Sequence, residues 1–291
     1  MTLRVAAAQY PIDRPLVWQD YAAKAESWVA EAAAREARLL VFPEYGAMEL
    51  AALLGEEVAA DLHRQIDEMQ AFLPRFLDLW GGLAKRHRVW LLAPTLPVRR
   101  DGQFRNTAHF FAPDGTCRVQ EKMIMTRFEN EEWGIGPGEA LRVFDTDFGR
   151  VGIAICYDVE FPQLVHALAE AGAGLILAPS CTDTLAGWHR VRLSAQARAL
   201  ENQCFVLQSP TVGEAPWSPA VDVNIGAAAI FGPPDRFMPD NGILAEGELN
   251  APGWVYADLD MDAMTRVRAE GQVFNWRDWD RQAGLGKVEV A

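Results

Sequence analysis

The chain has 291 residues, half of them apolar, enough to bury a substantial core and within the range of one large α/β domain. Its formal net charge of −13 at pH 7 would repel phosphate backbones and anionic lipid head groups, which argues against nucleic-acid and membrane-surface partners and leaves small molecules. No apolar run approaches the roughly 18 residues of a membrane span, and residues 1–9 meet Tyr10, Pro11 and Asp13 too soon to form a secretory signal, so a cytoplasmic location is expected.

Short β-type runs alternate with helical stretches from the start to about position 210. Residues 3–9 read as a strand, 18–35 as an Ala-rich helix, and 38–42 as an apolar run that ends at Pro43. Residues 66–88 have the spacing of one amphipathic helix, and 89–93 read as a buried strand. Residues 107–112 and 118–121 form a predicted hairpin across Pro113-Asp-Gly115, which makes the pairing partly antiparallel. Residues 151–155 read as a strand, 161–171 as a helix, 174–178 as a strand, 189–202 as a helix and 204–208 as a strand. After Pro210 glycine and proline become frequent, and the runs 227–231 and 254–259 suggest antiparallel strands. No repeat or linker divides the chain, so a single mixed α/β domain over residues 1–291 is expected, with an irregular tail from Asn275.

Of four cysteines, Cys117, Cys156, Cys181 and Cys204, none shows Cys-x-x-Cys spacing, and all are expected to be free thiols. Cys156 follows an apolar strand and precedes a helix. At such a turn a thiol can project into a cleft beside free backbone N–H groups, although a small buried hydrophobe is an equal alternative. Glu44 follows Pro43 at the carboxyl end of a strand, where α/β sheets bind ligands. It can take a thiol proton there, or simply serve as a loop acid or helix cap. Lys122 follows the predicted hairpin; beside a reacting centre an ammonium stabilises an oxyanion and favours a thiolate, whereas alone it is a surface lysine.

Together these segments resemble the nitrilase, or carbon–nitrogen hydrolase, superfamily. The matching pieces are Val41-Phe-Pro-Glu44, Glu121-Lys122 with Met-Ile-Met-Thr126, and Gly152-Ile-Ala-Ile-Cys156-Tyr-Asp158 followed by Phe161-Pro162, in the family's order. Residues 5–9, Gly134 to Gly138, and 198–202 add to a resemblance covering nearly the whole chain. It implies a four-layer αββα sandwich, a homodimer or higher homo-oligomer paired through helices, and a tail over residues 275–291 that reaches a partner subunit. It also implies Glu44 as general base, Cys156 as nucleophile, and Lys122 with the Tyr157 backbone N–H as oxyanion donors. Spacing after the lysine favours Glu129 as a second glutamate, with Glu131 as the alternative. No cofactor and no metal are expected.

Tyr157-Asp158 after the cysteine resembles amidase branches, so the expected substrate is a small amide, with nitrile and N-carbamoyl compounds as alternatives. Relatives acting on dicarboxylate monoamides often carry arginine where this chain has Glu160, which suits a neutral or amine-bearing substrate unless it is paired internally or faces solvent. Cys181 falls where the family shapes its acyl pocket, and Trp133, Trp188 and Trp217 are candidates for a pocket wall or for the core. The competing readings are a catalytically silent assembly protein, a Cys–His enzyme using His87, His109, His166 or His189, and acyl transfer to an amine.

Overall fold

Alternate residues of the first strand enter different cores: Leu3 and Val5 face one, and Ala6, Ala8 and Tyr10 the other. The computed structural model describes residues 1–284 and 286, so Leu285 and residues 287–291 of the anticipated tail lie outside the described residues.

One sheet is built from β1 (Thr2–Pro11), β2 (Leu39–Val41), β3 (Trp90–Leu92), β4 (Leu96–Arg100), β5 (Gln103–Phe111) and β6 (Cys117–Glu121). Next in the chain come β7 (Val143–Thr146), β8 (Gly149–Ile153), β9 (Ala173–Ser180), β10 (Phe205–Glu214), β11 (Val223–Asn224), β12 (Ala229–Phe231), β13 (Ile243–Glu246) and β14 (Gly253–Asp260). The first sheet runs β6-β5-β3-β2-β1-β14, with β4 beside the start of β5. The second runs β7-β8-β9-β10-β12-β13. The two join at one corner, where Tyr10 and Pro11 pair with Thr211 and Val212. There the buried Ser209 hydroxyl lies 2.8 Å from the Ala8 carbonyl and 2.9 Å from that of Val41.

Helices α1 (Trp18–Ala34) and α2 (Leu73–His87) cover the outer face of the first sheet. Tyr21, Ala25, Val29 and Ala32 form the apolar stripe of α1, and Phe76, Trp80, Leu83 and Ala84 that of α2. Helices α3 (Pro162–Glu170) and α4 (Leu185–Asn202) bury Leu164, Val165 and Leu168, and Val191, Ala195 and Ala199, on the second sheet. Between the sheets, Val5, Val41, Leu92 and Phe110 meet the inward side of β8 and β9. The result is the expected α/β architecture of four layers, αββα. No helix among the described residues is long and apolar enough to cross a membrane.

The predicted helix over 66–88 is broken into Leu62–Glu68, a tighter turn at Met69–Phe72, and α2. Pro74 has no N–H to return to the Gln70 carbonyl, and the Gln70 side chain donates to Ile66 O and Pro97 O. Strand β4 falls between the predicted elements, with no counterpart among them; β8 ends at Ile153, short of the predicted Ile155; and α4 begins four residues early, capped by the Thr184 hydroxyl. The tail, expected to be irregular, forms short helical turns at Asn275–Asp278 and Trp279–Gly284.

Direction decides where the loops meet. β1, β2 and β3 are parallel, β5 reverses, and β6 reverses again, so β6 points with β2. Through the β1–β10 corner, β8 and β9 share that direction. The carboxyl ends of β2, β6, β8 and β9 therefore open on one edge, carrying Glu44, Lys122, Cys156 and Cys181.

Gly152, on the strand leading to Cys156, lets α3 lie close: a Cβ there would stand 3.0 Å from Leu168 Cδ1 and 3.0 Å from Ile176 Cδ1. Gly152→Ala is expected to overpack this layer and cost about 1–3 kcal/mol, read as a lowered denaturant midpoint. A midpoint equal to wild type would show that α3 is not held at this distance.

Candidate active site

Glu44 is delivered to the sheet edge by Pro43, which stops β2, and by Tyr45, whose left-handed backbone (φ 55°) turns the chain away. Its carboxylate is buried and held by three donors. Oε1 accepts from Lys122 Nζ at 2.8 Å and Asn106 Nδ2 at 2.9 Å, and Oε2 accepts from Cys181 N at 3.0 Å. Asn106 is itself aimed by Thr95, whose hydroxyl donates to Asn106 Oδ1 at 2.6 Å and accepts from Tyr45 N at 2.9 Å.

Lys122 is 1% exposed and donates also to Glu129 Oε2 at 2.7 Å. Glu129 accepts from Tyr45 Oη at 2.6 Å, from Thr126 N at 2.8 Å and from Thr126 Oγ1 at 2.9 Å. An ammonium has three N–H groups, so one remains beyond these two bonds. Glu131 is exposed and pairs with Arg127. The structure thus brings Glu129, and not Glu131, to the lysine.

Cys156 opens the tight turn Cys156–Glu160 with a left-handed backbone (φ 49°), a conformation costing about 1–3 kcal/mol for a residue with a side chain. Its thiol donates to the Cys181 carbonyl across 3.7 Å. The Tyr157 N–H, at the start of the turn, has no hydrogen-bond partner among the described residues. Asp158 staples this turn to the lysine strand, its buried carboxylate accepting from Met123 N at 3.1 Å, Ile124 N at 2.8 Å and Ile155 N at 3.3 Å.

Burial sets the protonation of these groups. It pushes Glu44 up to about 7, with Lys122 pulling the other way. It also favours neutral Glu129, but Lys122, Tyr45 and Thr126 outweigh it and hold that carboxyl below the usual range. Burial opposes the charge of Lys122, yet Glu129 and Glu44 together keep the ammonium well above its ordinary value. The Cys156 thiol is raised well above its ordinary value by burial and by Glu44, against the pull of Lys122. The resting group is therefore the thiol, not the thiolate that an adjacent lysine alone would give. Asp158 is raised to about 6 by burial, against Lys122 and its backbone donors.

Glu44, Lys122, Glu129 and Cys156 line a cavity of about 530 Å³. Tyr157, Glu160, Cys181 and Trp133 line it too, whereas Trp188 donates to Ala227 O and Trp217 packs at the helix-side core. Glu160 is paired with Arg190, 3.7 Å away. Asn106, Asp158 and Arg190 are contributors that the sequence reading did not assign. No local signal marked Asn106, which pairs like its polar neighbours Arg105 and Thr107. None of the five histidines lines the cavity. His109 is buried 5.7 Å from the Phe76 ring and lowered to about 4 by burial, His87 meets Glu26, and His166 meets Asn202. No cluster of three or more metal-binding side chains occurs among the described residues.

A model of the carbon-nitrogen hydrolase family matches residues 4–269. The chain belongs to that family. A Bacillus subtilis protein described as "Probable hydrolase YhcX" is 33% identical over 95% of this chain, which spans about half of that relative's length, 53%. Human omega-amidase NIT2 is 26% identical, with 97% of each chain aligned. Among solved structures, a mutant of the amidase from Nesterenkonia sp. AN1, which shows the result of Michael addition of acrylamide at its active-site cysteine, is 25% identical. It superposes with a TM-score of 0.67 over 95% of this chain and 99% of that one.

Asp158→Asn replaces an acceptor-only carboxylate by an amide whose NH₂ opposes backbone donors, leaving a buried N–H unpaired at a cost of about 1–3 kcal/mol. It is expected to slow iodoacetamide alkylation of Cys156 and to lower its cavity's activity by about ten- to a hundredfold. Unchanged alkylation would mean that the turn holds its shape without the staple.

Proposed function

We propose that the chain hydrolyses small amides through a cysteine thioester. The observation that carries this reading is a buried thiol at a strand-end turn, in one cavity with a carboxylate–ammonium pair 2.8 Å apart. The likeness to the human omega-amidase and to the Nesterenkonia amidase supports it.

In the proposed sequence Cys156 attacks the carbonyl carbon as Glu44 takes its proton, so the thiolate forms during attack and not before. The oxyanion accepts from the remaining Lys122 N–H and the Tyr157 backbone N–H, both fixed in advance. Protonated Glu44 returns its proton to the leaving nitrogen, and ammonia departs. Glu44 then draws a proton from water, which attacks the thioester; the C–S bond breaks to release the acid, and Glu44 returns the proton to the Cys156 sulfur. Glu129 keeps Lys122 charged and in place throughout.

Ammonia release is to be measured on a panel of amides, N-carbamoyl compounds and nitriles. Amides are expected to turn over, with Cys156→Ala and Glu44→Gln each losing on the order of 10⁴-fold or more, and with an acyl adduct on wild-type Cys156 visible by intact mass after a rapid acid quench. Single histidine variants are expected to keep activity. No ammonia and no adduct across the panel would move the reading to a silent assembly protein, and loss of activity on changing one histidine to a Cys–His enzyme.

Glu44 must be ionised to accept the thiol proton, and its value is about 7. Activity is therefore expected to rise with pH through about 7 and to vanish below it as Glu44 takes up a proton. A profile of kcat/KM flat for one unit either side of that value would remove Glu44 from the role of base.

A further inference from the structure

Glu160 and Arg190 leave their side-chain hydrogen-bonding capacity unused in the cavity wall. Lys122 is tied to Glu44 and Glu129, and Arg127 donates to Glu131 at 2.7 Å. Glu160 Oε1 and Arg190 Nε, by contrast, approach only to 3.7 Å, longer than a hydrogen bond, and neither side chain donates or accepts one among the described residues. The Glu160 side chain is 18% exposed and the Arg190 side chain 62%, so the pair runs from the wall toward the mouth. The Glu160 carboxylate thus has an ion-pair partner but acceptor capacity to spare in the cavity wall. Asp183 and Asp222 also line the cavity, but both are exposed at its rim, where water solvates them.

The pair's charges select its ligand. A ligand bearing only a carboxylate is drawn to the guanidinium and repelled by Glu160; one bearing only an ammonium meets the reverse. Only a ligand with both charges, oriented against the pair, gains two charge-assisted contacts, with the guanidinium fork matching a carboxylate. Position fixes the distance from the chemistry. Glu160 ends the turn that Cys156 begins, and four residues at about 2 Å each place it about 8 Å along from the nucleophile. Arg190 is held there by α4, which packs on that turn.

We propose that Glu160 and Arg190 form the head-group site for a zwitterionic substrate, the side-chain amide of an α-amino acid, with its ammonium on Glu160, its carboxylate on Arg190 and its amide carbon at Cys156. This rests on the amidase reading above. Glu160 thus takes the amine its charge suits, and Arg190 supplies the carboxylate contact that Glu160 alone would deny.

The test compares kcat/KM for L-glutamine, glutaric acid monoamide, 4-aminobutanamide and butanamide, which carry both charges, the carboxylate, the amine and neither. Wild type is expected to prefer glutamine over butanamide by at least about tenfold. In Glu160→Gln the ratio of glutamine to glutaric acid monoamide is expected to fall by about tenfold, and in Arg190→Gln the ratio of glutamine to 4-aminobutanamide. Butanamide turned over as well as glutamine, or ratios unmoved by either variant, would overturn the head-group site while leaving the amidase reading intact. Failure of all four amides, with no acyl adduct on Cys156, would instead overturn the amidase reading beneath it.

Discussion

A single ammonium, almost wholly out of water, holds the cavity together. Lys122 is clasped by Glu44 and Glu129, which together keep it charged, and it in turn favours the ionised form of each. Two carboxylates this close could not both ionise without the cation, and the cation would not survive burial without them. Removing one member of such a group leaves an uncompensated buried charge, typically at a cost of about 3–5 kcal/mol. The arrangement also separates two duties. Glu129, richly supplied with donors, stays ionised and anchors the lysine, while Glu44 sits near neutrality and is free to gain and lose a proton.

The scaffold supplies this precision by joining two sheets at a corner. Glu44 and Lys122 come from the ends of strands in one sheet, Cys156 and Cys181 from the other, and only the common strand direction through β1 and β10 puts these ends side by side. Main-chain and side-chain staples then cross the seam. Asp158 ties the cysteine turn to the lysine strand and the Cys181 N–H ties the end of β9 to Glu44, while the Thr95–Asn106 pair braces Glu44 from within its own sheet. The site is thus an edge of the sandwich, held from both halves.

Much of this was legible in the sequence because it is local. The mainly apolar run in residues 3–9, the proline stop before Glu44 and the Pro113-Asp-Gly115 turn act over a few residues, and the structure has an element at each. The resemblance to the family carried the order of Glu44, Lys122 and Cys156, and their shared cavity needed the fold. What was not legible depends on partners far along the chain. The break at Pro74 was hidden by apolar spacing that continues through it, and the strand at Leu96–Arg100 by its proline and arginines. Glu160 could be read for its charge but not for its neighbour, because Arg190 is thirty positions away and reaches it only when α4 folds over the turn. Likewise the lysine suggested a thiolate, since sequence shows the opposite charge and not the burial that outweighs it.

Cys181 meets the site twice through its backbone, its N–H donating to Glu44 and its carbonyl receiving the thiol of Cys156. The peptide group does the holding, and any amino acid except proline carries the same one. A substitution here would therefore keep both backbone contacts while changing only the Sγ contact with Asn224 and the shape of the cavity wall.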